Sequence, residues 1–236
     1  MISHAARAAL CAGLLAVFCA DDLAIGSTIQ WQTPSGSTIG GEAVNALATF
    51  VTSPDTVTVT IQNLQVDPNS PKAVVYGVLF SLTSGQTTGT ISSTTGIERT
   101  IVSGGSYTDT GIVDVIDWAL VSAAPSLNLN RLDAPGQKKH GVIGPPNSLT
   151  NLYNDAGGAL SGTSHNPFWA NSAVFVLNVP GVTVDSSVSA ATFAFNTTSG
   201  DNIIGVQVPE PAAIALVLCG LVGLVVERQA RRTFAR

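Results

Sequence analysis

Thr56-Val57-Thr58-Val59-Thr60-Ile61 alternates strictly between hydroxyl-bearing and apolar side chains. Successive side chains on an extended strand point to opposite faces, so Val57, Val59 and Ile61 share one face and the threonines the other. The stretch therefore predicts a strand with one buried and one solvated side. Other segments extend this reading in both directions. Ala73–Leu82 and Ile112–Val121 are more continuous apolar runs and predict central strands, although Val113, Ile116 and Leu120 also fit one face of a helix. Ala173–Val179 and Val188–Phe195 predict two more. Turn signals separate them: Pro54-Asp55, Asp67-Pro68, Ser84-Gly85, Gly104-Gly105, Gly157-Gly158 and Pro180-Gly181. No stretch between Ser27 and Val208 has helical spacing with caps. The expectation is a mostly β, β-sandwich-like domain.

Composition limits what this domain can do. Residues 27–208 hold five basic side chains, Lys72, Arg99, Arg131, Lys138 and Lys139, against eleven acidic ones. Nucleic-acid binding requires a basic face, so nucleic acid is excluded as a partner. All three cysteines, Cys11, Cys19 and Cys219, lie outside residues 27–208. The domain therefore has neither a disulfide nor thiolate chemistry, and a hydrophobic core must stabilise it.

The chemistry-bearing residues do not form a familiar catalytic set. Only His140 and His165 lie within the domain, so a three-histidine zinc site cannot be built, and His-x-x-x-His and Cys-x-x-Cys spacings are absent. There is no Gly-x-Ser-x-Gly elbow. Asp114 and Asp117 would be a glycosidase pair by residue type, but three positions apart on a strand they face opposite ways and read as solvated acids. Asn128, Asn130 and Asp133 supply oxygens of the kind that bind calcium, without the glycine and terminal glutamate of a calcium loop. No metal or other cofactor is expected, with calcium the one weak candidate. Lys138-Lys139-His140, set among prolines and glycines, reads as a solvated basic cluster. Trp118 lies in an apolar run and reads as core. Trp169 and Trp31 are candidate ligand-stacking residues, since an exposed ring buries the apolar face of a sugar.

The two ends of the chain carry a different kind of signal. Residues 1–7 hold one arginine and no acid, and Ala8–Ala20 is apolar. This is the build of a secretory signal peptide, which engages the secretion machinery and signal peptidase. Small residues at Ala24 and Gly26 place the cut before Ser27, making residues 1–26 a signal helix. At the other end, Val208-Pro209-Glu210-Pro211 precedes an uncharged run, Ala212–Val226, and a tail, 227–236, with Arg228, Arg231 and Arg232. Fifteen residues of helix span about 22 Å, short of the roughly 30 Å of a bilayer core. Snorkelling arginines stretch such a marginal span and hold its end in the cytoplasm as a membrane stop. The run is read as a C-terminal transmembrane helix. The two prolines keep Glu210 extended.

The order of rigid motif, apolar run and basic end over residues 208–236 resembles the PEP-CTERM sorting signal of Gram-negative bacteria. Residues 166–200, with Asn166-Pro167-Phe168, Ala173-Val174-Phe175-Val176-Leu177, Pro180-Gly181 and Thr192-Phe193-Ala194-Phe195, also resemble a stretch recurring in uncharacterised PEP-CTERM surface proteins. Asn196-Thr197 stands where that stretch has Gly-Thr. The resemblance implies three parts: a signal peptide over 1–26, an extracytoplasmic β domain over 27–207 and a sorting signal over 208–236. It implies that Val208, Pro209, Glu210 and Pro211 are the recognition and cleavage element of an exosortase. It further implies a precursor in the inner membrane and a mature form at the cell surface or outside the cell. Family context adds exopolysaccharide as a partner and a structural or adhesive matrix role. The alternative is a secreted hydrolase acting on polysaccharide. Two carboxylates facing each other across a cleft would favour the hydrolase.

Overall fold

The computed structural model describes residues 27–209. The expected signal helix, Glu210 and Pro211, the Ala212–Val226 run and the arginine stop lie outside the described residues. Among the described residues no helix is long and apolar enough to cross a membrane.

The described residues form fifteen strands: β1 (Thr28–Gln32), β2 (Thr38–Ile39), β3 (Glu42–Ala43), β4 (Ala46–Ser53), β5 (Thr56–Asn63), β6 (Val75–Leu82), β7 (Thr90–Ile101), β8 (Tyr107–Asp114), β9 (Ala119–Ala123), β10 (Ser126–Asn130), β11 (Val142–Ile143), β12 (Phe168–Asn178), β13 (Val188–Phe195), β14 (Asn202–Ile204) and β15 (Val206–Val208). All but β2 and β3 join one hydrogen-bonded network. The network has two halves. In one, β12 is central, with β7 and β8 on one side and β5, β4, β1 and β15 in succession on the other. In the other, β6 is central, with β13 and β14 on one side and β10 and β9 on the other. The two-residue β11 is the hinge. Val142 pairs with Val75 of β6 and runs parallel to Trp169 of β12.

The halves fold face to face around one main core, as the alternation of β5 requires. Val57, Val59 and Ile61 are fully buried, and the intervening threonines are half-buried on the other face. Phe50 of β4 meets Phe80 of β6 with ring centroids 5.1 Å apart, so side chains from the two halves interdigitate. Phe175, Phe193 and Phe195 also point into this core. A smaller cluster around Tyr76, Ile101, Tyr153 and Phe168 lies under the long 144–167 connection.

Two expected elements differ. The run Ala73–Leu82 begins as a strand only at Val75, because Pro71 starts a 3₁₀ turn over Pro71–Ala73 whose N-cap is Ser70. Ile112–Val121 is not one strand. It ends β8 at Asp114 and resumes as β9 at Ala119. In the gap Trp118 is buried, with its ring 4.7 Å from Phe175, and its indole N–H donates to the His140 carbonyl at 2.9 Å. Anchoring that indole pulls the chain off the ladder.

Candidate functional site

Among the described residues a dense cluster of charged side chains centres on His140. Its ring lies between two carboxylates. Nδ1 donates to Asp117 Oδ2 at 2.5 Å and Nε2 to Glu98 Oε2 at 3.0 Å. A neutral imidazole has one N–H, so two carboxylate acceptors require the doubly protonated, charged ring. Burial opposes that charge. The hydrogen bonds to Asp117 and Glu98, together with their negative charges, outweigh it and hold the ring above its ordinary value. The same hydrogen bond to His140 holds the Glu98 carboxyl below its ordinary range, against partial burial. Arg131 extends the chain of charges, with Nε 3.4 Å from Asp117 Oδ2.

The members reach the cluster from three separate parts of the fold. Glu98 comes from β7 on the inward face, opposite Trp169 of β12. Trp169 stacks flat on the imidazole with centroids 4.6 Å apart. Asp117 comes from the gap between β8 and β9. Arg131 and His140 bracket the 131–140 loop. The Arg131 guanidinium donates to the carbonyls of Pro135, Gln137 and Lys139, which coils this loop around it. His140 has a φ of +57° and donates its backbone N–H to the Pro167 carbonyl at 2.7 Å. Gly96 leaves room for the stack, since a Cβ there would lie 2.8 Å from the Trp169 ring.

A second polar cluster begins one residue further along β7. Arg99, also buried, forms a two-pronged pair with Asp109 at 2.7 Å on both oxygens and donates to the Tyr153 hydroxyl at 2.8 Å. Its guanidinium carbon lies 4.0 Å above the centre of the Tyr107 ring. Burial pushes the Tyr153 hydroxyl up to about 12. A shallow depression of about 440 Å³, lined in part by Ile101, Val102, Lys139 and Pro167, opens beside these clusters.

The structure corrects several sequence expectations here. Trp169 is fully buried under His140 and offers no face for sugar stacking. Trp31 is half-buried and packs against the main core. Lys138-Lys139-His140 is not a solvated basic cluster. His140 is inside, and the Lys138 ammonium donates to the carbonyls of Leu132 and Ala134. Asp114 and Asp117 do not form a pair. Asp114 accepts from the Thr94 backbone N–H at 3.2 Å, and Asp117 is committed to His140 and Arg131. Asn128, Asn130 and Asp133 do converge, but on one another. The Asn130 amide donates to Asp133 Oδ2 at 2.9 Å and accepts from the Asp133 N–H at 2.6 Å. Among the described residues there is no group of three or more His, Cys, Asp or Glu side chains arranged to hold a metal. Val208 is a strand residue, paired with Gln30, so the folded unit reaches one residue further than 27–207.

Sequence reasoning missed Glu98 and Asp117 as partners of His140. The available signal was a charge inside an apolar run, as with Asp117 in IVDVIDWALV, because a buried charge requires a partner. Chemically the arrangement is a clamp. Both ring nitrogens of His140 are committed, so neither is free to exchange a proton with a substrate. The two carboxylates face the imidazole from either side, not a cleft between them.

No protein-family model, curated protein or solved structure matches this chain.

Proposed function

We propose that this chain is an exported surface or matrix protein, sorted and processed by an exosortase, with a structural or adhesive role in an exopolysaccharide setting. The observation that carries the reading is the tail, in which Val208-Pro209-Glu210-Pro211, Ala212–Val226 and the arginines at 228, 231 and 232 follow one another without interruption. In this reading signal peptidase and the secretion machinery handle residues 1–26. Ala212–Val226 holds the precursor in the inner membrane.

Two features of the fold support it. β15 pairs antiparallel with β1, with Gln30 opposite Val208. The first and last strands of the domain are neighbours, and the chain enters at Thr28 and leaves at Val208 from the same end of the sheet. Both membrane-directed segments of a precursor would then lie on one side, with the body of the domain extending away from the bilayer. The last ladder residue is also the first residue of the motif, so Pro209 interrupts the hydrogen-bonding pattern where the motif begins. That abrupt end suits an enzyme that must grip an extended segment beside a folded body.

Glu210→Ala tests the proposal. The change leaves the apolar run and the arginine stop intact, so a simple anchor would not respond to it. A sorted substrate would accumulate uncleaved in the membrane. The measurement is the mass and location of wild-type and Glu210→Ala chains in an exosortase-bearing host. If both keep Arg236 and stay equally membrane-bound, processing is excluded.

A further inference from the structure

The half of the sandwich built on β6 carries a small polar depression on its outward face. Val78 and Phe80 of β6, Leu127 and Leu129 of β10 and Phe193 of β13 point into the core. Their alternate neighbours therefore face outward, in two register rows. One row is Asn128, Leu79 and Thr192. The next is Asn130, Gly77, Ala194 and Asn202. Gly77 and Ala194 add almost no side chain, so the middle of this row is low and its two amide ends are high. A Cβ on Gly77 would lie 2.8 Å from that of Asn130, so glycine is what leaves room for the amide. The flanking turns raise the rims. On one side Asn130 donates to Asp133 Oδ2 at 2.9 Å and accepts from the Asp133 N–H at 2.6 Å. On the other, Asn196 donates to Asp201 Oδ2 at 2.6 Å and the Asn202 N–H to the Gly200 carbonyl at 3.0 Å, which fixes the turn that carries Ser199. Between the rims lies a depression of about 140 Å³.

The rims are held by their own hydrogen bonds, yet several polar groups lining the depression are left unused. Among the described residues Asp133 Oδ1, the Thr192 and Ser199 hydroxyls and the Asn202 amide have no hydrogen-bond partner. From this geometry we propose that the depression is a binding site for one ring of a neutral sugar. The unused groups offer donors and acceptors side by side, which suits ligand hydroxyls that are both at once. Leu79 and Ala194 give the floor an apolar strip for the C–H face of the ring. Other occupants fit worse. Asp133 repels an anion at the rim. Among the described residues there is no group of His, Cys, Asp or Glu side chains arranged to hold a metal. An added strand has no edge to pair with here, because β6 and β13 each have a neighbour on both sides. The depression is smaller than the roughly 300–1,000 Å³ of sites for drug-sized ligands, so it takes a single unit rather than a length of chain. Its position suits a surface protein. The Val188 end of β13 lies beside the chain entry, where the Ser27 N–H donates to the Val184 carbonyl and the Thr52 hydroxyl to the Ser186 carbonyl. The depression lies toward the opposite end of β13. That the ring belongs to an extracellular polysaccharide rests on the exported-protein proposal above; the chemistry of the site does not.

The test is calorimetric titration of the full chain, in a detergent without a sugar head group, with methyl glycosides of neutral hexoses, deoxyhexoses and N-acetylhexosamines. At least one should bind with a dissociation constant below about 5 mM, and a calcium chelator should not change it. The methyl glycoside of glucuronic acid should bind about 10-fold more weakly than its neutral counterpart, because of Asp133. Asn202→Ala should weaken binding by about 5-fold or more. Ala194→Leu, which fills the floor, should abolish it, with the melting curves of both variants unchanged. Thr163→Ala, in the depression beside the β7 clusters, should leave it intact. A panel with no binder overturns the proposal. So do folded Asn202→Ala and Ala194→Leu chains that bind like the wild type, which would place the sugar elsewhere. Binding that requires calcium overturns direct recognition, and a glucuronide that binds as well or better would make the ligand acidic. Sugar binding by a chain whose tail processing ignores Glu210→Ala keeps the site and removes the sorting proposal. Processing without sugar binding overturns the site alone.

Discussion

His140 shows what a single residue contributes to this fold. It ties β7, the β8–β9 gap and the 131–140 loop together through one charged ring. Its pKa is raised on folding, so its contribution is fully present below its unfolded value and is lost as pH rises through the folded one. Glu98 acts in the opposite sense. Its pKa is lowered on folding, so its contribution is present above the unfolded carboxylate range and is lost as pH falls through the folded value. The clamp is therefore strongest between the two ranges. Melting temperature should decline on the alkaline side, beginning above the ordinary imidazole value of 6.5. His140→Gln should flatten that decline and cost about 3 kcal/mol, because Glu98 would lose its cation and Asp117 would keep only Arg131 in a partly buried site. Thermal melts of both proteins across pH 5 to about 10 make the comparison. An unchanged alkaline limb in the variant would assign the decline to other groups.

Strands were legible where burial on one face is the only demand. In β5 the observed pattern of buried and half-buried residues follows the Thr-Val alternation position by position. Val188–Phe195 coincides with β13. Val59→Ala should therefore cost roughly 2 kcal/mol through lost burial and a cavity. Thr56→Ala, on the other face of the same strand, should cost under about 1 kcal/mol. Denaturant midpoints at constant slope measure both, and equal costs would mean that the two faces are not distinct. β7 was illegible for a physical reason. Thr90–Ile101 is mostly Ser, Thr and Gly, its isoleucines Ile91, Ile97 and Ile101 are too sparse to mark an apolar face, and it is held by neighbours on both sides. Ile112–Val121 failed in the opposite way. Its pattern suits a strand, but the burial of Trp118 and the pairing of Asp117 with His140 break the ladder.

At the scale of the whole molecule, β15 completes the sheet beside β1, and among the described residues the core is built between them. Residues 27–208 alone should fold, give a β-type far-UV circular dichroism spectrum and melt cooperatively. Reductant should leave the melt unchanged, because this span has no cysteine. A helical spectrum, or a melt that broadens when the ends are removed, would mean that the core depends on segments outside it.

The sequence alone determined the class of this protein. Local alternation dictates strands, and the lack of cysteine within residues 27–208 requires a hydrophobic core. Only the tertiary structure decided which charges are inside. Glu98, Asp117, Arg131 and His140 are far apart along the chain and sit in apolar, Thr-rich or Pro/Gly-rich surroundings, so no local period links them. Burying each charge is favourable only when its counter-charge arrives from another element.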